Sequence, residues 1–180
     1  MSVISGDGRY IAFTSEGNNL VVGDNNNSRD VFVYDMQTKQ INAISVTPSG
    51  EFRAGNAEYK LDISSDGRYI VFVTTARLID ASGSNGYLHD RYTGQTYRIT
   101  RRYWDGGSPL AIMGSMVGSI SVTDDGRYVV YSSDAIDITP NDYNGKVDIY
   151  IYDRQLDQTT SITQPKGTGG VAIMNSSISG

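Results

Sequence analysis

The apolar runs in this chain are short, and each is closed by polar residues or glycine. The most continuous is Tyr69-Ile70-Val71-Phe72-Val73, whose aromatic and β-branched side chains fit a pleated strand covered on both faces. The pattern returns as Tyr10-Ile11-Ala12-Phe13 and as Tyr128-Val129-Val130-Tyr131. Each run follows the same polar word: Asp7-Gly8-Arg9, Asp66-Gly67-Arg68 and Asp125-Gly126-Arg127, with the Asp residues 59 positions apart. Asp-Gly between apolar runs predicts a tight hairpin turn, because glycine accepts positive φ without a steric penalty. A fixed period of this length marks a repeat architecture.

Around each turn the pattern predicts four strands, A to D. Strand A ends at Ile4-Ser5, Ile63-Ser64 or Val122-Thr123, and strand B runs from Arg9 to Ser15, Arg68 to Thr75 or Arg127 to Ser133. Strand C is Val31-Phe32-Val33-Tyr34, Tyr87-Leu88-His89 or Ile149-Tyr150-Ile151-Tyr152. It closes on Asp35, Asp90 or Asp153, which opens a second short turn with Gln40, Gln95 or Gln158 on its far side. Strand D carries Ile44, Ile99 or Ile162. No stretch shows a helical period. The expectation is an all-β segment over 1–180, made of three four-stranded propeller blades at about 4–62, 63–121 and 122–180.

Asp-Gly-Arg-Tyr before an apolar strand, then Asp30-Val31-Phe32-Val33-Tyr34-Asp35 with Thr38, resembles the TolB-type β-propeller repeats, a WD-repeat-like group. The resemblance covers essentially the whole chain. It implies a propeller, and it leaves function open, because that family supplies protein-binding modules, bacterial surface and periplasmic domains, and gates beside separate catalytic domains. It also implies a bacterial periplasmic or extracellular setting, although Met1-Ser2-Val3 opens no signal peptide.

Closed propellers have roughly 4–8 blades, so three blades leave open edges. Val171 to Ile178 reads as the innermost strand of a next blade, and Ile178-Ser179-Gly180 repeats Ile4-Ser5-Gly6. The segment is therefore expected to be half of a six-bladed ring. A second copy completes it as a head-to-tail homodimer, or the rest of a longer chain does. Val171, Ile173 and Ile178 are the expected junction.

Composition narrows the chemistry. A net charge of −5 and a pI near 4.7 argue against nucleic acid or an anionic membrane as partner. No apolar run approaches the ~18–20 residues of a membrane span. With no Cys and one His, the usual zinc sets and Ser–His or Cys–His nucleophile pairs have no material. His89 takes the strand C position of Tyr34 and Tyr152, which makes it a packing residue.

In an antiparallel A-B-C-D blade the A–B and C–D turns share one face, and the B–C and D–A connections share the other. The repeated turns fall on the first face and all variation in length on the second, where binding is expected. Two features stand there. Arg101, Arg102, Tyr103 and Trp104 combine cations and aromatics suited to a protein or glycan ligand; the competing account is a Trp104 that packs back between blades two and three, leaving only the arginines exposed. Asp24, Asn26 and Asp30, echoed by Asp142, Asn144 and Asp148, space oxygen ligands as calcium loops do. Ser28 is replaced by Lys146 at the fifth position, no Glu closes either loop, and repeat two lacks the loop, so turn-forming Asp and Asn are the competing account. No other cofactor is expected. The repeated arginines read as framework. The resulting expectation is a non-enzymatic binding scaffold. The alternatives are a carbohydrate-active enzyme with paired carboxylates in the channel, or a purely structural array, engineered or excised.

Overall fold

The computed structural model describes residues 1–79, 84–103, 118–140, 142 and 145–163. Among them are three antiparallel four-stranded sheets. The first pairs β1 (Ser2–Ile4), β2 (Tyr10–Ser15), β3 (Asp30–Asp35) and β4 (Gln40–Ala43) in sequence order. The second pairs β5 (Ala57–Ile63), β6 (Tyr69–Thr74), β7 (Asn85–Asp90) and β8 (Gln95–Arg98), and the third β9 (Ile120–Val122), β10 (Tyr128–Ser133), β11 (Asp148–Asp153) and β12 (Gln158–Ser161). These are three propeller blades, as the repeat predicts.

Ile44, Ile99 and Ile162 lie one residue beyond the fourth strand instead of within it. The ladder still reaches them, since their N–H groups donate to the carbonyls of Val31, Gly86 and Ile149 at 2.8, 3.0 and 2.8 Å. The junction residues Val171, Ile173 and Ile178 lie outside the described residues.

Every residue of β6 is buried, because blade two is sandwiched by its neighbours. On one side Tyr10, Ala12 and Val33 of blade one meet Ile63, Ile70 and Phe72 of blade two. On the other, Val71, Val73 and Leu88 meet Val122, Val129 and Tyr131 of blade three. Phe72 stacks on Tyr87 and Tyr131 on Tyr150, with ring centroids 5.7 and 5.5 Å apart.

The Asp-Gly-Arg-Tyr word is a hydrogen-bonded frame made three times. The hydroxyl of Ser5, Ser64 or Thr123 donates to Asp7, Asp66 or Asp125 and accepts the N–H of Tyr10, Tyr69 or Tyr128. The same carboxylate accepts the N–H of Arg9, Arg68 or Arg127 at 2.9 Å. Each arginine then bridges the two short turns, pairing with Asp35, Asp90 or Asp153 at 2.8, 2.7 and 2.9 Å. Those carboxylates also cap their own turns by accepting from Gln37, Tyr92 and Gln155. The Arg9 guanidinium holds the Asp35 carboxyl well below the usual range, and Arg127 likewise lowers that of Asp153. Burial works against the charge on Asp90, and Arg68 with the turn N–H groups outweighs it.

Consecutive blades are locked at this same end. Tyr10 covers Gly67, where an added Cβ would stand 2.1 Å from its ring, and Tyr69 covers Gly126 at 2.4 Å. Arg91 and Arg154 close the joints. Each donates to the carbonyl of its own blade's glycine at 2.7 Å and lies over the tyrosine of the preceding blade, 3.9 and 5.2 Å from the ring centre.

Candidate functional site

After β8 the chain turns across the outer edge of blades two and three. Arg101 Nε donates back to the carbonyl of Arg98 at 3.0 Å, while its Nη1 reaches Asp157 Oδ2 at 2.7 Å. Arg102 Nε pairs at 2.9 Å with Asp137, whose side chain is fully buried in the connection between β10 and β11. The N–H of Tyr103 donates to the carbonyl of the same Asp137 at 3.0 Å. Together these contacts tie the D–A connection of blade two onto blade three.

They surround a pocket of about 290 Å³ lined by Arg101, Arg102, Tyr103, Ile138, Tyr152, Asp157, Gln158 and Thr159. Three of the four residues singled out in the D–A connection therefore meet at one pocket; Trp104 lies outside the described residues. The pocket is not confined to the variable face. It runs down the outer flank to Asp157, in the C–D turn at the opposite end of blade three. Asp157 holds a φ of 51° at the turn position taken by Lys39 and Gly94 in the other blades. It also accepts a hydrogen bond from Tyr152 at 2.8 Å. Burial, then that bond to a carboxylate, raises the Tyr152 phenol, so it is a neutral donor. The pocket thus offers two guanidiniums, one carboxylate, an amide, a hydroxyl and aromatic surface, a donor-rich set suited to a polar ligand with some negative charge. Asp157 has no signal in the sequence beyond its departure from Lys39 and Gly94.

The proposed calcium ligands divide into two groups. Asp30 accepts Ser45 Oγ at 2.7 Å and Asn26 Nδ2 at 2.9 Å, and Asp148 accepts Thr163 Oγ1 at 2.8 Å. In blade two Asn85 stands in their place, accepting Thr100 Oγ1 at 3.2 Å. Asp30 and Asp148 are accordingly strand C framework residues, and burial raises the Asp30 carboxyl. Asn26 also accepts the N–H of Ser28 at 3.0 Å, as a turn-forming Asn does. Asp24 and Asp142 are buried, and each keeps one carboxylate oxygen without a hydrogen-bond partner; the other oxygen of Asp142 accepts the Tyr150 hydroxyl. Asn144 lies outside the described residues. Among the described residues no three His, Cys, Asp or Glu side chains converge as a metal set.

His89 packs in strand C as expected, with Nδ1 2.9 Å from Thr96 Oγ1, and burial pushes its imidazole down to about 4. No helix among the described residues is long and apolar enough to cross a membrane.

No protein-family model matches the chain, and no curated protein matches it. Solved structures do. The tricorn protease superposes with a TM-score of 0.53 at 15% identity, covering 91% of this chain and 13% of that one. A putative TolB from Agrobacterium tumefaciens gives 0.50 at 15%, covering 89% and 48%. An oligogalacturonate lyase from Vibrio parahaemolyticus gives 0.51 at 14%, covering 90% and 38%. The fold is that of β-propeller blades, as in these structures, and the chain spans less than half the length of each of them.

Proposed function

We propose that this chain is a propeller scaffold that recognises a protein or glycan through the pocket around Arg101, and that a head-to-tail second copy completes its ring. The observation that carries the binding reading is the breaking of the repeat at that pocket. The types at Arg101 to Tyr103 do not recur after Ile44 or Ile162, and Asp157 stands where the other blades have Lys39 and Gly94, while the Asp and Arg of every Asp-Gly-Arg-Tyr word are spent on internal bonds. A scaffold whose frame is saturated and whose asymmetry gathers at one polar pocket is built for recognition.

An acidic sugar fits the donor set best, because guanidiniums pair with carboxylates in charge-assisted geometry. Two of the structural neighbours are named as oligogalacturonate lyases, which makes oligogalacturonate a reasoned first probe. Calorimetric titration of the chain with tetragalacturonate, cellotetraose and an acidic peptide is the test. Binding of at least one probe, weakened at least tenfold by Arg101→Ala, supports the reading. Binding unaffected by Arg101→Ala, or no binding of any probe at millimolar concentration, removes it.

The second reading is a carbohydrate-active enzyme, favoured only by those lyase neighbours. Unsaturated product absorbing near the ultraviolet edge after prolonged incubation with oligogalacturonate would establish it in place of the scaffold.

A further inference from the structure

Each joint between blades uses three parts: a tyrosine, the glycine it covers, and an arginine that holds the glycine's carbonyl and lies on the ring. Among the described residues, one further tyrosine and one further glycine of this kind belong to no joint. Tyr128 is the equivalent of Tyr10 and Tyr69, and it is half-buried where they are buried. Gly8 has the same φ as Gly67, 71°, and nothing stands within 4 Å of the place its Cβ would occupy.

Among the described residues the rest of the blade-one face is open as well. Ile4 is 59% exposed, whereas its equivalents Ile63 and Val122 are 8% and 5% exposed under the preceding blade. Met36 is 41% exposed and takes the position of Arg91 and Arg154. The backbone proves the equivalence: the N–H groups of Met36, Arg91 and Arg154 donate to the carbonyls of Arg9, Arg68 and Arg127 at 2.9, 3.0 and 2.8 Å.

We propose that this incoming face of blade one docks the outgoing face of blade three on a second copy, with the partner's Tyr128 seated on Gly8 and Met36 lying over its ring. The inference rests on the ring-completing part of the reading above and names the contact that makes it. The occupant follows from the two internal joints, which show that such a face is covered by a blade led by a tyrosine, and Tyr128 is a tyrosine in that position. A glycine at residue 8 leaves the room the ring needs. The change from Arg to Met matters. A thioether packs well against an aromatic ring but cannot hold the Gly8 carbonyl, so this joint keeps its packing and loses its clamp. It is the separable joint of the ring. Used at both ends, a contact of this kind closes two copies with two-fold symmetry.

The test is solution mass, by sedimentation equilibrium, on the wild type and three variants. Gly8→Asn tolerates the positive φ yet fills the seat of the tyrosine, and Tyr128→Ala removes the ring. Gly94→Asn is the control. Its φ of 72° matches that of Gly8, its Cβ position is also open, and Lys39 and Asp157 show that side chains are accepted at that turn position. Expected is about twice the 19.6 kDa chain mass for the wild type and Gly94→Asn. Gly8→Asn and Tyr128→Ala are expected at the single-chain mass with unchanged circular dichroism. A wild type that stays at the single-chain mass overturns both ring completion and this joint. A doubled mass that survives either junction substitution leaves self-association standing and overturns the joint.

Discussion

At the end of the blades that carries the Asp-Gly turns, the same residue types make the same bonds three times, and the arginine of each turn is paired with a carboxylate. At the other end the connections differ in length. There Asp24, Asp134, Thr139 and Asp142 each bury a side-chain oxygen without a hydrogen bond. An unpaired buried oxygen costs roughly 1–3 kcal/mol. The contrast shows how the molecule divides its work. The repetitive end fixes blade spacing and angle so strongly that the variable end can carry unsatisfied groups and still fold. The exception sharpens the comparison: Asp157 sits in a repetitive turn but bonds Arg101 from the variable connection, so the pocket joins the two ends along the flank of blade three.

The largest effect that separates the two ends is steric. Gly67→Ala drives a Cβ into the Tyr10 ring at positive φ and is expected to lower stability by about 3–4 kcal/mol. Gly94→Ala, at nearly the same φ with open space, is expected to cost about 1 kcal/mol. Urea denaturation of the pair measures the blade joint by difference; equal losses would show that the joint bears no stress.

Within the pocket, Arg102→Ala leaves the buried Asp137 without that guanidinium and is expected to cost about 3 kcal/mol. Arg101→Ala breaks a pair whose Asp157 side chain is 54% exposed, so about 0–1 kcal/mol is expected. Thermal melts of the two variants test this division. It makes Arg102 the anchor of the pocket and Arg101 the arginine available to a ligand.

His89 tests whether one departure in the frame is felt. Burial lowers its pKa from 6.5 to about 4, so the unfolded chain binds the proton first as pH falls. Its contribution is complete above pH 6.5 and is lost between 6.5 and 4, amounting to about 2–3 kcal/mol. His89→Tyr, the residue its equivalents use, is expected to remove that slope. Denaturation at several pH values, read as the difference between variant and wild type, checks the sign.

A further substitution bears on the variable end at Tyr150, whose hydroxyl donates to the buried Asp142. Tyr150→Phe keeps the stack on Tyr131 and removes the donor, at a cost of about 2 kcal/mol. If the loss disappears at millimolar calcium, the free oxygens of Asp142 hold a cation. If it persists, the loop is a turn and nothing more.

What recurs was legible and what meets across the fold was not. Strand positions, the Asp-Gly turns and the framework role of the arginines could be read directly, because each is written three times. Asp30 and Asp148 looked like metal ligands when their loops were considered alone. Aligning them with Asn85, and noting Ser45, Thr100 and Thr163 fifteen residues on, identifies them as strand C framework. The arginine cluster was legible as a departure from the repeat, but its placement was not. Arg101 meets Asp157 across 56 residues, and that pairing carries the pocket from one end of the blade to the other.

The central claim is that the repetitive turns frame the molecule and the asymmetric flank binds. Backbone amide shifts followed by NMR during titration with tetragalacturonate test it most directly. The account predicts saturable shifts at Arg101, Arg102, Tyr103 and Thr159, with Gly8, Gly67 and Gly126 unmoved. Saturable shifts centred on the three Asp-Gly turns, with the flank silent, would contradict it.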